Sequence, residues 1–384
     1  MKKSILIALV LVITGAAAIF ADSAELLPAG VFRFRIVPIF NFANGAFDKD
    51  GAYHEYGEGG GASKAYATGF ALEYGVLDWL SLAAQWTPGW VAWSDVDQDL
   101  GSNSTVNANG VSDLFIGVAV QIAGQAAPVK TELFRFTLAP GVKIPFPGAD
   151  ALDQYEKWKK GEAVTAANPD KHSLGIGGRA YFDYIPGILD KRLVFNLYGE
   201  FIGYPLKSKI KNYSIAPILG RAAAIAGHYG TSDGQTELGL AYYFQEQKQA
   251  DPADPAFLAW ANNYVYSKID QAANEIAEQD VTFSYDLTLE FEASVGSIPL
   301  DQNKKLLFAA GVPFNFSYSP GTVVGFTGAE EEYAFNINPY VSLFLTNLSL
   351  PIQLQLGYNI PIFGVNSAAR HALVFQAKFF LKFW

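Results

Sequence analysis

Several residue types that often carry chemistry are absent or scarce in this chain of 384 residues. There is no cysteine, and there are only one methionine and four histidines. The lack of cysteine excludes disulfides, thiolate metal ligands and a cysteine nucleophile. A serine hydrolase needs a histidine that a carboxylate holds beside the serine, and no histidine here stands in a pattern that indicates such a triad. We therefore predict that the protein is not an enzyme and that it has no cofactor and no metal site.

Basic residues are outnumbered, and long apolar runs are missing beyond the N-terminus. The net charge of −10 argues against a nucleic-acid partner, because phosphate binding needs a basic surface. At the N-terminus two lysines precede the apolar run Ile5–Ile13, and small residues follow as far as Ala21. This pattern is typical of a secretory signal peptide, so we predict a signal peptide at 1–21 and one domain at 22–384. Such a mature chain can span a membrane only as a closed β-barrel.

The clearest pattern in the mature chain is a strict alternation of apolar and polar residues from Val281 to Ala293. Successive side chains of a β-strand point to opposite faces, so this segment has one apolar and one polar face. The apolar positions are Val281, Phe283, Tyr285, Leu287, Leu289, Phe291 and Ala293, and the polar ones are Thr282, Ser284, Asp286, Thr288, Glu290 and Glu292. A helix of this sequence would spread its carboxylates around its circumference, so the stretch predicts a strand.

Alternation of this kind recurs along the chain and gives thirteen predicted strands. Short and long connections alternate, as in bacterial outer-membrane barrels, whose strand number is even. The odd count indicates one error, which the up-and-down order places between Tyr204 and Asp280. We prefer about fourteen strands and keep twelve as the alternative. Besides Val281–Ala293, the predicted strands are Val31–Asn41, Ala65–Tyr74, Trp79–Trp93, Asp113–Ile122, Glu132–Phe146, Ser173–Tyr184, Arg192–Tyr204, Thr236–Phe244, Lys305–Tyr318, Glu332–Leu345, Leu348–Ile360 and Ala372–Trp384.

Two stretches in the uncertain interval could supply the missing strand. They are Lys207–Pro217 and Phe257–Ser267. The second competes with a helix, because Asp254 is a good N-cap, Pro255 suits the first helical position and apolar residues follow at helical spacing. We favour a helix near 255–278. Three positions are possible for it: inside the lumen, over the outer mouth as a cap, or packed on the rim of the barrel.

The direction in which the apolar faces point indicates whether water or lipid surrounds the strands. A soluble barrel or sandwich would turn them inward. The strands are long enough, when tilted, to cross an apolar band about 25 Å tall, and most polar faces carry ionisable residues. The chain also ends on an aromatic strand rather than on a tail. We therefore predict an all-β fold, a closed antiparallel transmembrane β-barrel in the bacterial outer membrane, with apolar side chains toward lipid and ionisable ones toward the lumen.

Three segments carry a resemblance to known proteins: Tyr74–Ser81 at a short turn, Gly110–Gly117 opening a strand, and the aromatic terminal strand. With the overall pattern, they resemble outer-membrane β-barrel channels and, within them, the FadL-like group of hydrophobic-compound transporters. The resemblance implies recognition of the terminal strand by the barrel-assembly machinery. It also implies an N-terminal plug inside the barrel, but only about ten residues separate Ala21 from the first strand, so we expect no room for one.

The polar faces of the strands supply the candidate functional residues. The predicted pore-lining residues are Arg33, Arg35, Glu73, Arg135, Arg179, Glu290, Glu292, Lys378 and Lys382. Closure of the barrel brings the first and last strands together, which places basic residues on one wall and Glu290 and Glu292 further round. Opposed walls of charge would bias which solutes enter a water-filled pore. The alternative is a set of internal salt bridges that fills the barrel and passes nothing.

These expectations define the predicted function. We predict a channel in outer-membrane lipid that passes small solutes, hydrophobic ones included, by diffusion through the lumen. The alternative is a structural or adhesive surface barrel that works through its outer loops. Conductance measured across a bilayer separates the two.

Overall fold

Twelve antiparallel strands form a closed barrel. The computed structural model describes residues 23–56, 62–94, 106–146, 150–162, 164, 171–321, 323–324, 327–328 and 330–382, so the predicted signal peptide lies outside the described residues. Strands β1 and β12 close the barrel, with Arg35 opposite Lys378. The strands are β1 Val31–Phe47, β2 Ser63–Leu77, β3 Leu80–Trp86 with Trp90–Ser94, β4 Val106–Gly110 with Leu114–Gly124, β5 Phe134–Ile144, β6 Gly175–Tyr184, β7 Leu193–Gly203, β8 Tyr285–Pro299, β9 Leu306–Ser319, β10 Glu332–Ile337 with Tyr340–Leu345, β11 Ile352–Val365 and β12 Ser367–Lys382.

Among the described residues, four α-helices lie in the two longest connections. They are α1 Ala151–Lys159, α2 Ala216–Tyr229, α3 Ser232–Glu246 and α4 Pro255–Ala277. The carboxylate of Asp254 caps α4 by accepting from the Ala256 N–H at 2.9 Å, and Pro255 occupies the first turn. This confirms the helix predicted near 255–278. In the described part of the chain, no helix combines the length and the apolar character needed to cross a membrane.

The strand count is twelve, so the preferred count of fourteen was wrong and the alternative was right. The predicted strand Thr236–Phe244 lies within α3, and Phe257–Ser267 lies within α4. Lys207–Pro217 contributes only Ser208–Lys209 to a small separate sheet. A run as short as the nine residues of Thr236–Phe244 can match both the period of a strand and the period of a helix. The buried residues of α3 recur every four positions, and packing against the other helices selected the helix.

The barrel is apolar outside and polar inside, as predicted. On β8, Leu289 and Phe291 are 44% and 46% exposed, whereas Glu290 and Glu292 are 2% and 4% exposed. The same alternation holds on the other strands, where exposed leucine, isoleucine, valine and phenylalanine face away from the axis. A surface of this kind is stable only in lipid, and closure pairs the backbone of every strand with its two neighbours.

One part of the clearest alternating stretch lies outside the barrel. Strand β8 begins at Tyr285, and the preceding Asp280–Thr282 belongs to the small separate sheet. Val281 is fully buried and Phe283 nearly so, and both pack among residues of the helices rather than against lipid. The stretch is therefore not one lipid-facing strand, because its first residues share the apolar interior of the helices.

The helices and their connections form what we call the helical cap, α1 to α4, at the end of the barrel that carries the long connections. By the usual arrangement of such barrels this is the outer end. The cap has an apolar core that includes Ile210, Ile215 and Ile218, and it continues onto Ile202 and Tyr204 of the β7 end. Helix α4 therefore packs over the barrel rim, one of the three positions considered for it.

Candidate functional site: the lumen of the barrel

The basic residues of β1 lie at the periplasmic end of the lumen and are paired. Arg33 and Arg35 both make ion pairs with the carboxylate of Glu73 on the adjoining β2. The register causes this, because Arg33 lies directly opposite Glu73. All three side chains are largely withdrawn from solvent. Their charges are therefore compensated along one wall rather than facing an opposite charge across the lumen.

The acidic residues of β8 are also bound by side chains of nearby strands, one on the adjoining β9 and one on β10, which lies beyond β9. Glu290 accepts from Asn315 Nδ2 on β9 at 3.2 Å, and Glu292 accepts from Tyr340 Oη on β10 at 2.6 Å. Lys378 lies within electrostatic range of Glu292, whereas Lys382 is exposed at the end of β12. The structure thus places the predicted lumen residues other than Lys382 inside the barrel, but their role in a pore stays a prediction.

Residues 23–28 enter the periplasmic half of the lumen, so the expectation that no plug would fit was wrong. The carbonyl of Ala24 accepts from Gln121 Nε2 at 2.7 Å and from Thr137 Oγ1 at 2.6 Å. Ala24 is completely buried and Leu27 nearly so. We call residues 23–28 the N-terminal plug. A few extended residues suffice for it because each residue covers roughly 3.3 Å of lumen.

A buried carboxylate, Asp183 on β6, fixes this plug. It accepts from Ser23 Oγ at 2.7 Å, from the Ala24 N–H at 3.0 Å and from Asn196 Nδ2 at 2.8 Å. Arg135 pairs with Asp183 at 3.3 Å and with Glu25 at 3.1 Å. Arg135 therefore binds the plug to the wall, a role that the alternation of β5 did not predict.

Arg179 makes a contact across the lumen. Its Nε donates to Glu200 Oε2 on β7 at 2.5 Å, and its Nη2 donates to Gln85 Oε1 on β3 at 3.1 Å. The guanidinium lies 4.1 Å from the centre of the Phe115 ring on β4. Tyr198 Oη also donates to Glu200 Oε2 at 3.1 Å. We call this contact the Arg179 bridge. It joins β6 to β3 across β4 and β5, which lie between them in the barrel wall.

Glycines on the lumen wall make room for the Phe115 ring. Gly117 and Gly141 lie opposite each other on β4 and β5. A Cβ atom at Gly141 would approach the ring to 2.4 Å, and one at Gly117 would approach it to 3.0 Å. Because these positions lack side chains, the ring lies along the wall and presents a face to Arg179, the geometry of a cation–π contact.

The outer mouth contains a second buried ionic group beneath the cap. Lys171 Nζ donates to Asp286 Oδ1 at 2.6 Å, and Tyr204 Oη donates to Asp286 Oδ2 at 2.6 Å. The ammonium also lies 5.2 Å from the centre of the Phe283 ring. In the adjoining cap, burial raises the pKa of Tyr213 to about 12, so this phenol stays neutral. These contacts connect the cap to β7 and β8.

The barrel wall is interrupted between β3 and β4. The two strands pair from Leu80 to Gln85 and again from Trp90 to Ser94. Between these stretches run Thr87, a proline and a glycine, and the Ser112 N–H donates to the Thr87 carbonyl at 2.9 Å. Proline cannot donate to a ladder, which explains a break at this point.

A shallow cavity of about 400 Å³, widely open to the outside of the barrel, lies at this interruption. It is lined by Tyr66, Gly89, Trp90, Val91, Gly110 and Val111. Tyr66 and Val91 are exposed on the outside of the barrel, whereas Trp90 is buried with Ala65, Ala67 and Ala92 on the lumen side. The cavity therefore opens toward lipid, and the Trp90 side chain lies between it and the lumen.

Sequence reasoning identified the lumen faces but missed several residues that make the contacts. Asp183 and Glu200 stood on predicted polar faces without a partner assigned to them. Phe115 is an aromatic residue at a lumen position, flanked by the outward Leu114 and Ile116. That exception to the alternation, followed by Gly117, was a usable signal. Within the described ranges, no three histidine, aspartate or glutamate side chains converge as metal ligands.

Comparison with known proteins identifies the fold. An outer-membrane channel from Pseudomonas putida F1 is 12% identical, with a TM-score of 0.51 over 94% of this chain and 99% of that chain. A Pseudomonas aeruginosa FadL homologue is 10% identical with a TM-score of 0.36, over 96% of each chain. A TodX monoaromatic hydrocarbon channel mutant is 10% identical with a TM-score of 0.38, over 93% of this chain and 91% of that one. No family model and no curated protein matches the sequence.

Of these three structures, the Pseudomonas putida channel is similar enough to compare folds. It confirms, at the level of the fold, the predicted resemblance to outer-membrane channels. The closed barrel, its lipid-facing apolar exterior and its polar lumen agree with that likeness. The chain is therefore a transmembrane β-barrel located in the bacterial outer membrane.

Proposed function

We propose that the protein is a channel through which small solutes, hydrophobic ones included, cross the outer membrane by diffusion. The observation that supports the passage of hydrophobic solutes is the apolar cavity at the interruption between β3 and β4. An apolar solute is stabilised by contact with apolar side chains, and this cavity adjoins both the lipid-facing Val91 and the lumen-facing Trp90. We also propose that the assembly machinery recognises β12.

The arrangement of the ion pairs favours a pore over a filled barrel. Arg33 and Arg35 pair with Glu73 on the next strand, and Glu290 bonds Asn315 on the next strand. These contacts run along the wall rather than across the lumen, in contrast to the N-terminal plug and the Arg179 bridge, which enter it. Contacts of this kind therefore support a charged pore lining, as rings of charged residues do in other channels.

Filling the cavity tests the proposal. The variant Gly89→Leu adds a side chain at a position where a Cβ meets no atom within 4 Å, so the strand accepts it without a clash. The uptake of toluene into vesicles with a lipopolysaccharide outer leaflet is expected to fall about tenfold, the scale of a lost binding step of roughly 1.4 kcal/mol. Ion conductance across a planar bilayer is expected to stay unchanged.

The matched control is Gly199→Leu on β7. Gly199 also faces lipid, and a Cβ there makes only an ordinary 3.5 Å contact with Leu289. This variant should take up toluene as the wild type does. Equal uptake by wild type, Gly89→Leu and empty vesicles would contradict a hydrophobic substrate, and a wild type without conductance would contradict diffusion through the lumen.

A surface or adhesive barrel is the second candidate function. Helix α3 exposes Leu240, Tyr243 and Phe244, the last at 76% of its surface, on the outer end of the molecule. Exposed aromatic clusters are common in binding surfaces. If this function holds, the double variant Tyr243→Ser and Phe244→Ser abolishes attachment of cells to a surface and leaves solute flux unchanged.

A further inference from the structure

The Arg179 bridge passes over more strands than the contacts of Arg33, Arg35, Glu290 and Glu292 do. The pairs of Arg33, Arg35 and Glu290 join neighbouring strands. Arg179 instead reaches from β6 to Gln85 on β3, with β4 and β5 between them. Three strand spacings of about 4.8 Å separate the two backbones along the wall, so the side chains cross a chord of the lumen. A solute that follows this wall meets the bridge directly.

The bridge is held from several sides. Glu200 fixes the guanidinium at one end, and the hydroxyl of Tyr198 donates to the same carboxylate oxygen. The Phe115 ring supports the flat face of the guanidinium, and the absence of side chains at Gly117 and Gly141 lets the ring take that position. A planar cation that stacks and donates in two directions needs arginine, because lysine offers neither a flat face nor a fork of donors.

The two ends of the bridge are unequal. The contact with Glu200 is between opposite charges and is shorter, at 2.5 Å, than the 3.1 Å contact with the neutral amide of Gln85. Charge-assisted hydrogen bonds are roughly twice as strong as neutral ones. The Gln85 end is therefore the weaker of the two, while Glu200 keeps the guanidinium on its wall.

We propose that Arg179 is the residue that determines selectivity in this channel. Through the bridge it limits the size of the solutes that pass, and its charge offsets that of Glu200 at the same depth. This inference rests on the proposed channel function. It assigns the selection of solutes to one contact, the Arg179 bridge. It is separate from the cavity in the wall, which concerns the apolar solutes.

Single-channel currents in planar bilayers test the assignment. Arg179→Ala is expected to raise the conductance about twofold and to shift the ion preference toward cations, because Glu200 then lacks its counter-charge. Gln85→Ala removes only the neutral end, so conductance should rise while ion preference stays constant. Arg179→Lys keeps the charge without the stacked fork, so it should raise conductance with little change in preference.

The control is Thr288→Ala. Thr288 faces the lumen directly opposite Glu200 in the β7–β8 register, so its depth is matched. Its conductance and ion preference should equal those of the wild type. Correct folding of each variant is checked by its resistance to unfolding in detergent at room temperature, which the folded barrel of the wild type should also show.

The outcomes separate this inference from the proposed function. A wild type that conducts and an Arg179→Ala variant with the same conductance and preference overturn the role of Arg179 alone. A silent wild type and a conducting Arg179→Ala variant support the bridge as a barrier and overturn the open channel. Silence of every variant overturns both.

Discussion

In the barrel, most of the side chains that face inward are polar, whereas in the helical cap they are mainly apolar. Glu290 and Asp183 are almost fully buried inside the barrel, while Ile215 and Ile218 occupy the equivalent inner positions of the cap. Both regions belong to one chain, and the change occurs within a few residues, near Tyr204 on the way into the cap and near Phe283 on the way out.

The difference follows from the solvent on the outside of each region. Lipid accepts the leucines and phenylalanines of the barrel, which leaves polar groups to the interior, where they bind one another. Water surrounds the cap, so the hydrophobic effect places its apolar side chains inside. The barrel interior is therefore stabilised mainly by hydrogen bonds and ion pairs, and the cap by burial of apolar surface. Substitutions of opposite kinds should damage the two regions.

The largest effect is expected at Asp183 in the barrel. Asp183→Ala removes the acceptor for Ser23, Ala24 and Asn196 and leaves Arg135 without its buried counter-charge. Loss of one member of a buried pair costs about 3–5 kcal/mol. We expect a decrease of that size in the free energy of unfolding, measured by urea titration in detergent, and release of the N-terminal plug to proteases.

An exposed ion pair provides the control for this prediction. Glu132 pairs with Lys191 in the connections between strands, where both side chains are more than half exposed. Solvent screens such a pair, so Glu132→Ala should leave the unfolding transition unchanged. If Asp183→Ala also unfolded like the wild type, the polar interior would not stabilise the barrel as the comparison requires.

A smaller effect is expected in the cap, from the opposite type of change. Ile218 is fully buried in α2, and Ile218→Ala leaves a cavity in the apolar cluster that also contains Ile215, Ile269 and Ala273. Truncations of this kind cost about 2–5 kcal/mol. Cleavage between Gly203 and Tyr285 should therefore accelerate, as limited proteolysis measures, while the barrel strands stay intact.

The exposed Leu240 on α3 is the control for Ile218. Its side chain is more than half exposed, so Leu240→Ala should change cleavage little, within about 0.5 kcal/mol. Simultaneous loss of barrel and cap in Ile218→Ala would show that the two interiors form one cooperative unit, contrary to the comparison.

The same contrast explains which parts of the fold could be predicted from the sequence. The period of two placed Leu289 and Phe291 on the lipid face and Glu290 on the lumen face correctly, because lipid and lumen impose opposite polarity on alternate residues. Val281 and Phe283 continue that period but are buried in the cap. Periodicity distinguishes the two faces of a strand, but it does not indicate whether lipid, water or protein contacts each face.

Contacts between distant strands could not be predicted in the same way. Arg179 and Gln85 are 94 residues apart, and their contact depends on strand tilt and on the stagger of the closed barrel, which no local pattern encodes. The N-terminal plug was missed for a related reason. Ser23 and Ala24 bind through a hydroxyl and through backbone groups, and their sequence has no period to detect.

The smallest expected effect concerns an exposed contact of the cap. His228 and the hydroxyl of Tyr229 in α2 hydrogen-bond the carboxylate of Glu237 in α3, at 3.0 Å and 2.8 Å. The hydrogen bonds from His228 and then Tyr229 lower the pKa of Glu237 below its usual 4.5. A group whose pKa is lower in the folded state stabilises that state above its unfolded pKa.

The contribution of Glu237 is therefore complete above pH 4.5 and is lost as the pH falls through the lower pKa of the folded state. The cap of the wild type should become more sensitive to proteolysis by an acid-stable protease over that range, while the barrel remains resistant. Glu237→Gln keeps the hydrogen-bond acceptor but does not titrate. The part of the acid-induced sensitivity to proteolysis that comes from this contact should therefore disappear. If Glu237→Gln had the same pH profile as the wild type, the acid sensitivity of the cap would come from other ion pairs, such as Lys211 with Glu278 and Lys209 with Asp280.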